Sequence, residues 1–187
     1  MRWSNKFDVV RVLLRKMRLP AAEVPATLAD EDTAMQAALL LTEVLRHSNT
    51  HVDLLKTVML SASSLFELAL GLNGNSFHPV QFSAAWTVLL DLLRCLGRIW
   101  LPNRHTRIIS DTVQVFVSFL PQLQTLCLAQ GERLGSLRMQ LAEGVSVMLA
   151  GRLVSLFVEP LLKSGLLKSL LDICVRYPNA SLFHQTM

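Results

Sequence analysis

The sequence predicts an all-α protein built from stacked pairs of helices. Apolar side chains recur at three- and four-residue intervals through most of the 187 residues, and apolar residues make up 51% of the chain. Only 8 glycines and 7 prolines interrupt this pattern, which is too few for a disordered or low-complexity chain. A chain of this length can bury one continuous apolar core. We therefore expect a single helical domain over residues 1–187.

The first predicted element is a basic amphipathic helix within residues 1–20. Its apolar residues follow helical spacing, and Pro20 ends it before a linker over residues 21–29. Six basic residues against one acidic residue give residues 1–20 a charge of +5, although the whole chain carries only +4. The aromatic residues of RNA-binding surfaces do not accompany this charge. We therefore interpret it as a solvated helix face and do not predict a nucleic-acid partner.

Three helix-pair modules are predicted over residues 30–187. The first begins near Asp30, where three consecutive acidic residues are expected to cap a helix and complement the positive end of its dipole. The second begins at Pro79, a residue type that favours the first helical position, and the third begins near Ser136. These starts lie 49 and 57 residues apart, somewhat longer than the roughly 40 to 47 residues of armadillo and HEAT repeats. The sequence thus predicts an armadillo/HEAT-like α-solenoid of stacked helix pairs.

Each module also contains residues that bend or break helices. Residues 52–72 are predicted to be helical, with or without an interruption at Ser61. Pro121 either kinks the second helix of the second module or begins a new helix. Pro160 and Gly165 are expected to bend or divide the last helical segment. From the sequence alone these alternatives stay open.

The end of the sequence contains a helix start with no helix after it. The last apolar run stops at Tyr177 and Pro178, because proline disfavours a helical residue before it. Asn179 or Ser181 is then expected to cap a following helix, yet the sequence ends at Met187. In a solenoid each repeat covers the previous one. We therefore expect this chain to be a C-terminally truncated fragment of a longer array, with its last apolar face uncovered.

Two motifs in the last third of the chain resemble a known family. The first is LGSLR at residues 134–138, and the second is LLDICVRYPN at residues 170–179, followed by His184. In order, spacing and turn chemistry, residues 134–187 resemble the SAPS family of phosphatase-associated proteins. In that family a Leu-Gly-Asn-x-Arg segment opens one helix, and Leu-Leu-Asp-x-x-x-Lys-Tyr-Pro follows a leucine-rich helix. Ser136 stands where the family has asparagine.

The resemblance implies a regulatory or scaffold subunit rather than an enzyme. It implies a serine/threonine protein phosphatase catalytic subunit, of the protein phosphatase 6 type, as the partner whose activity or substrate targeting is modulated. It implies no catalytic residue in this chain. The matching residues, with a structural or partner-binding role in the turn, are Arg138, Asp172, Arg176, Tyr177, Pro178, Asn179 and His184. The alternative is a generic helical-repeat adaptor for protein–protein interaction, with the basic N-terminal helix as its contact.

The candidate motifs for an enzyme or a metal site each lack residues that the chemistry requires. His47 and His51 are four residues apart, but they lack the intervening glutamate of a zinc-protease helix and a third ligand nearby. Gly71 and Gly74 follow a helix and have no lysine after them, so they indicate a helix end rather than a phosphate loop. The sequence therefore predicts no enzyme, no cofactor and no metal.

Cysteine usage and hydropathy predict an intracellular protein. Cys95, Cys127 and Cys174 are odd in number, widely spaced and surrounded by leucines, so we expect free buried thiols in a reducing compartment. The longest charge-free stretch, residues 112–131, contains four glutamines and a proline, and we reject it as a membrane span. Residues 1–20 lack the apolar run of a secretory signal. We predict a cytoplasmic location, with the nucleus as the alternative.

Overall fold

All regular structure in the described part of the chain is helical. A computed structural model of the protein describes residues 6–20, 25–47, 52–72, 77–99, 107–129, 135–177 and 185. The elements are α1 (Lys6–Lys16), α2 (Leu28–Arg46), α3 (Val52–Leu60), α4 (Ala62–Leu70), α5 (Pro79–Ile99), α6 (Arg107–Ala129), α7 (Gly135–Leu149), a short 3₁₀ turn (Gly151–Leu153), α8 (Val154–Ser164) and α9 (Leu166–Arg176). Within these residues the prediction of an all-α fold is confirmed.

The helices pack mainly on the helices of the next module along the chain. In one set, α2 packs on α5 and α5 packs on α7. In the other set, α3 and α4 pack on α6, and α6 packs on α8 and α9. Contacts of α4 with α5, and of α7 with α8, join the two sets, while α1 lies on α2 and α3. The core is one continuous cluster of buried side chains from Val10 to Ile173.

A capping box begins α2 and corrects one prediction. The backbone N–H of Asp30 donates to the Thr27 hydroxyl at 3.2 Å, and the N–H of Thr27 donates to the Asp30 carboxylate at 3.0 Å. Hydrogen bonds from the Thr27 side chain and backbone lower the pKa of Asp30. The prediction that the acidic run itself supplies the cap is therefore wrong. Thr27 is the cap, because its hydroxyl reaches the third helical N–H and Asp30 returns the bond.

Glycine and serine, rather than proline, divide the predicted long helices. Ser61 separates α3 from α4, and its hydroxyl donates to the Thr57 carbonyl at 2.9 Å. Gly165 separates α8 from α9 with a φ of 77°, in the left-handed region that favours glycine. Pro121 and Pro160 lie inside α6 and α8. The predicted division at Gly165 is confirmed, whereas Pro160 does not divide its helix and Pro121 does not begin a new one.

The long helix α5 is the central element of the core. Twelve of its 21 residues are buried. The Trp86 ring stacks on Phe82 at a centroid distance of 5.5 Å and meets the edge of Phe66 on α4 at 6.3 Å. Phe66 in turn packs against Phe116 on α6 at 4.9 Å. These contacts connect three helices from two modules through aromatic side chains.

A buried glutamine anchors the chain that follows α1. The Gln81 side chain is 2% exposed and lies at the start of α5. Its Oε1 accepts from the Leu19 N–H at 2.8 Å, and its Nε2 donates to the Leu68 carbonyl at 2.8 Å. Because both polar ends are satisfied, this buried amide fixes the exit of α1 against α4 and α5. No pattern in the sequence indicated this role.

The last two helices bury one face and expose apolar side chains on another. In α9, Leu166, Leu170 and Ile173 are buried, whereas Leu171 is 49% exposed and Val175 is 82% exposed. The α8 helix likewise exposes Val154, Val158 and Leu162. Among the described residues, part of the apolar surface at this end of the fold is therefore uncovered.

Among the described residues, two helices, α5 and α6, are long and apolar enough to cross a membrane by length and composition alone. In α5, 67% of the most apolar 18-residue stretch is buried inside the protein, as in the core helix of a soluble protein. In α6, 33% of the corresponding stretch is buried. Core helices commonly pass this test. The two helices are therefore weak support for a membrane span.

The close approach of α7 to α5 depends on a glycine. The Trp86 indole N–H donates to the Gln140 carbonyl on α7 at 2.8 Å. A Cβ added at Gly144, one turn further along α7, would lie only 2.3 Å from the Trp86 ring. The ring cannot retreat, because Trp86 is 2% exposed and packed on both sides. Any side chain at residue 144 must therefore push the two helices apart.

Gly144→Ala is expected to lower the free energy of unfolding by about 2 kcal/mol, because overpacking outweighs the gain in helix propensity. Gly97→Ala is the matched control, since its added Cβ would lie 3.7 Å from Leu153, an ordinary contact. The control should leave stability unchanged or raise it by up to about 1 kcal/mol. Urea unfolding followed by circular dichroism measures both, and equal effects of the two substitutions would contradict the packing.

Candidate functional site: an arginine-lined cleft

A concave cleft lies where α2, α5 and the end of α7 meet. Its volume is about 790 Å³, within the range of ligand and peptide sites. Leu45, Leu93 and Leu153 lie beneath its floor and are fully buried, whereas Val147 and Ala150 expose apolar surface within it. Four exposed arginines surround this apolar surface, namely Arg46, Arg94, Arg98 and Arg152. We call this feature the arginine cleft.

Helical geometry brings most of these charges together. Asp91, Arg94 and Arg98 lie three and four residues apart on α5, so they share one face of that helix. Arg46 lies in the last turn of α2, where a positive charge is favoured by the helix dipole. Arg152 comes from the 3₁₀ turn that follows α7. The cleft thus combines residues from the first, second and third predicted modules.

A chain of ion pairs crosses the three helices. Arg46 donates to Glu43 at 2.7 Å, and its Nε lies 3.7 Å from Asp91 Oδ2. Asp91 Oδ1 accepts from Arg94 Nη1 at 2.8 Å. Arg94 Nη2 then donates to Glu143 on α7 at 2.6 Å. Exposed pairs of this kind contribute about 0.2 to 1 kcal/mol each, so their main effect is to orient the guanidinium groups.

Asp91 lies between Arg46 and Arg94 in this series of ion pairs. Its side chain is only 13% exposed. The Oδ2 atom is buried and has no hydrogen-bond donor, because Arg46 at 3.7 Å is too far for a hydrogen bond. Asp91 thus faces two guanidinium groups and holds Arg94 firmly but Arg46 only loosely.

The arginines of the cleft differ in how far neighbouring acidic side chains neutralise their charge. Burial alone would lower the pKa of Arg94, but hydrogen bonds to Asp91 and Glu143 outweigh it and raise that pKa above its ordinary value. Arg98 is exposed and forms no ion pair or side-chain hydrogen bond with any residue that the structure describes. The cleft therefore offers an uncompensated positive charge beside a fixed, compensated one.

The first family-motif residue, Arg138, lies away from the cleft. Its side chain is 3% exposed, and its Nε donates to the Cys127 carbonyl at 3.1 Å. Cys127 belongs to the last turn of α6, where backbone carbonyls lack helical partners and a cation is favoured. Arg138 therefore fastens the start of α7 to the end of α6, which is a structural role.

The remaining motif residues lie at the end of α9 or beyond it. Asp172 and Arg176 are exposed on α9. Tyr177 is half-buried, its N–H donates to the Ile173 carbonyl at 3.0 Å, and its φ of −119° is outside the helical range, as expected for a residue before proline. Pro178, Asn179 and His184 lie outside the described residues. None of the described motif residues lines the arginine cleft.

The cysteines are free but not uniformly buried. Cys95 and Cys127 are buried, whereas Cys174 is only half-buried, which corrects the prediction for that residue. Burial raises the pKa of the Cys127 thiol despite the nearby Arg138, and it also raises the pKa of Cys174. Both thiols are therefore poorer nucleophiles than an ordinary cysteine. Within the described ranges, no group of three or more metal-ligating side chains is placed to hold a metal ion.

A smaller basic cleft lies between α1 and α4. Its volume is about 240 Å³, and Arg11, Arg15 and Arg18 line it together with Ser64 and Leu68. The three arginines are exposed. The predicted basic face of α1 thus borders a groove rather than projecting from an isolated helix.

Comparisons with known proteins do not assign the chain to a family. No family model, curated protein or solved structure matches it. The similarity to phosphatase-associated proteins therefore stays an expectation from the motifs.

Sequence reasoning did not find the residues of the arginine cleft. One signal was present, the D-x-x-R-x-x-x-R spacing from Asp91 to Arg98, which places three charges on one face of α5. Arg46, Glu143 and Arg152 are distant in the sequence, so no local pattern could connect them. Their grouping depends on how α2 and α7 pack on α5.

Arg138→Met is expected to lower the free energy of unfolding by about 2 kcal/mol, because the Cys127 carbonyl loses its donor in a buried site. Arg176→Met is the matched control, since Arg176 is exposed on α9. It should change stability by less than about 0.5 kcal/mol. Urea unfolding measures both, and a similar small change in the two variants would contradict the structural role of Arg138.

Proposed function

We propose that the protein is a regulatory or scaffold subunit for a serine/threonine protein phosphatase of the protein phosphatase 6 type. It binds the catalytic subunit and modulates its activity or substrate targeting. The observation that carries this proposal is Arg138. This residue matches the family motif and occupies a buried junction between α6 and α7, a place where a motif arginine has a physical reason to be present. The proposed location is the cytoplasm, with the nucleus as the alternative.

The proposed architecture is an armadillo/HEAT-like α-solenoid. Its support is the order of helix contacts, in which each module packs mainly on the next one along the chain. The starts of α5 at Pro79 and of α7 at Gly135 fit the predicted modules, and the apolar residues that α8 and α9 expose are of the kind that stacked helices present to one another. A stack of this kind presents a long surface to a partner protein.

Purified, tagged protein is expected to retain a purified phosphatase catalytic subunit of the protein phosphatase 6 type. Retention follows from the proposed scaffold role and needs no other component. The measurement is a pull-down with purified subunits, with the tag alone and an unrelated phosphatase catalytic subunit as controls. Equal recovery of the catalytic subunit on the tag alone would overturn the proposal.

A generic helical-repeat adaptor is the second candidate. The observation that favours it is the basic cleft between α1 and α4, where Arg11, Arg15 and Arg18 offer a ready contact for an acidic partner surface. In this alternative, α1 is the partner contact and the similarity of residues 134–187 reflects helix packing alone.

Reversal of Arg11, Arg15 and Lys16 to glutamate separates the two candidates. All three side chains are exposed on α1, so the fold should survive the change. We expect retention of the phosphatase subunit to stay within about twofold of the unaltered protein, because α1 does not belong to the part of the chain that carries the resemblance. The control is Lys56→Glu, an exposed charge reversal on α3 that also lies outside residues 134–187. Complete loss of retention in the α1 variant, with the control intact, would favour the adaptor.

A further inference from the structure

We propose that the arginine cleft binds a phosphorylated segment of a partner protein. The phosphate would lie on the arginine rim, and an apolar side chain next to it in the partner sequence would lie against Val147 and Ala150. This inference goes beyond the proposed function, because it assigns a ligand class to a site that contains none of the family-motif residues. It holds whether or not the partner is a phosphatase subunit.

The distribution of charge points to an anion. Arg46, Arg94, Arg98 and Arg152 come from three separate parts of the chain and meet around one cleft of about 790 Å³. Grouping four like charges is unfavourable unless counter-charges are present. Asp91 in the lining and Glu43 and Glu143 beside it supply three counter-charges, so four positive and three negative charges leave this group at +1. Arg98 has no counter-charge among the described residues, so a bound anion would remove the repulsion that remains.

The existing ion pairs favour phosphate over carboxylate. Arg46 and Arg94 already donate to Glu43 and Glu143 at 2.7 and 2.6 Å. A partner carboxylate would exchange one single charge for another and gain little. A phosphate carries a charge of about −1.5 to −2 at neutral pH and three acceptor oxygens, and it accepts paired hydrogen bonds from guanidinium groups. It can therefore compete with these glutamates while also engaging Arg98.

The apolar base points to a peptide rather than to a free ion. Val147 is half-buried and Ala150 is exposed beside the arginines, whereas Leu45, Leu93 and Leu153 beneath them are closed to solvent. Inorganic phosphate would use only the rim. A peptide can place an apolar side chain against Val147 and Ala150 and a phosphate on the arginines at the same time, and the excluded water strengthens the charge interactions.

Asp91 acts as a positioning residue for this site. It lies below the rim, 87% of its side chain is excluded from solvent, and it fixes Arg94 at 2.8 Å. Its pair with Arg46 is loose at 3.7 Å, so that guanidinium has to leave only Glu43, at 2.7 Å, to turn towards a ligand. The site is thus partly ordered before binding, which reduces the entropy lost when a ligand orders long arginine side chains.

Immobilised peptide libraries test the proposal with purified protein alone. One library has phosphoserine at a fixed central position among randomised residues, and two matched libraries have serine or glutamate there. We expect the phosphoserine library to retain at least about tenfold more protein than either of the others, because charge-assisted hydrogen bonds to the phosphate are lost in both. The retained phosphopeptides should be enriched in apolar residues beside the phosphoserine.

Variants of the cleft make the test specific. Arg98→Ala should reduce retention by about tenfold without affecting the fold, since Arg98 is exposed and unpaired among the described residues. Arg98→Lys should recover only part of it, because lysine lacks the paired donors. Glu143→Gln should increase retention by roughly threefold, because it releases Arg94. Lys168→Ala removes an exposed charge on α9 and should change nothing.

Several results would overturn the inference. Equal retention on the phosphoserine and serine libraries would exclude phosphate recognition. Equal retention on the phosphoserine and glutamate libraries would show that the site binds any acidic group without preference for phosphate. An unchanged Arg98→Ala variant would place binding elsewhere. Arg98-dependent binding to phosphatidylcholine vesicles that contain a phosphoinositide, without retention on phosphopeptides, would reassign the cleft to a membrane surface. The assay contains no phosphatase, so its failure is separate from failure of the proposed function.

Discussion

The contact between Trp86 and α7 is the constraint on which the rest of the structure depends. The indole N–H donates to the Gln140 carbonyl at 2.8 Å, and Gly144 provides the space for the ring. The same ring packs on Phe82 and Phe66, so one side chain connects α4, α5 and α7. If this contact were longer, α7 would move away from α5. The base of the arginine cleft and the ion pair between the two helices would then be lost.

The arginine cleft follows from that packing. With α7 held against α5, Glu143 reaches Arg94 at 2.6 Å, and the turn after α7 brings Arg152 to the same opening. The acidic residues of the protein pair with the arginines and order them in the absence of a partner. A ligand must therefore compete with these acids for the arginines. Only a ligand with more negative charge or more hydrogen-bond acceptors than a single carboxylate gains by displacing them. A helical scaffold that selects partner segments by phosphorylation would need this balance between order and competition.

The sequence predicted those features that depend on neighbouring residues. Pro79 begins α5 because proline suits the first helical turn, and Gly165 divides two helices because only glycine adopts its φ of 77° at little cost. The cap at Thr27 was missed because the acidic run after it gave a stronger but less specific signal. The arginine cleft was missed for a different reason. Its charges lie on α2, on α5 and after α7, and only the three-dimensional packing of apolar faces brings them together.

A double-mutant cycle between Trp86 and Gly144 tests the central claim most directly. Trp86→Phe shortens the ring that faces α7, and Gly144→Ala adds the atom that this ring would meet at 2.3 Å. If the two residues are in contact as described, the alanine substitution should cost at least about 1 kcal/mol less in the Trp86→Phe background than in the unaltered protein. Strictly additive effects on the free energy of unfolding would show that α7 does not rest on Trp86, and the account of both the fold and the cleft would be contradicted.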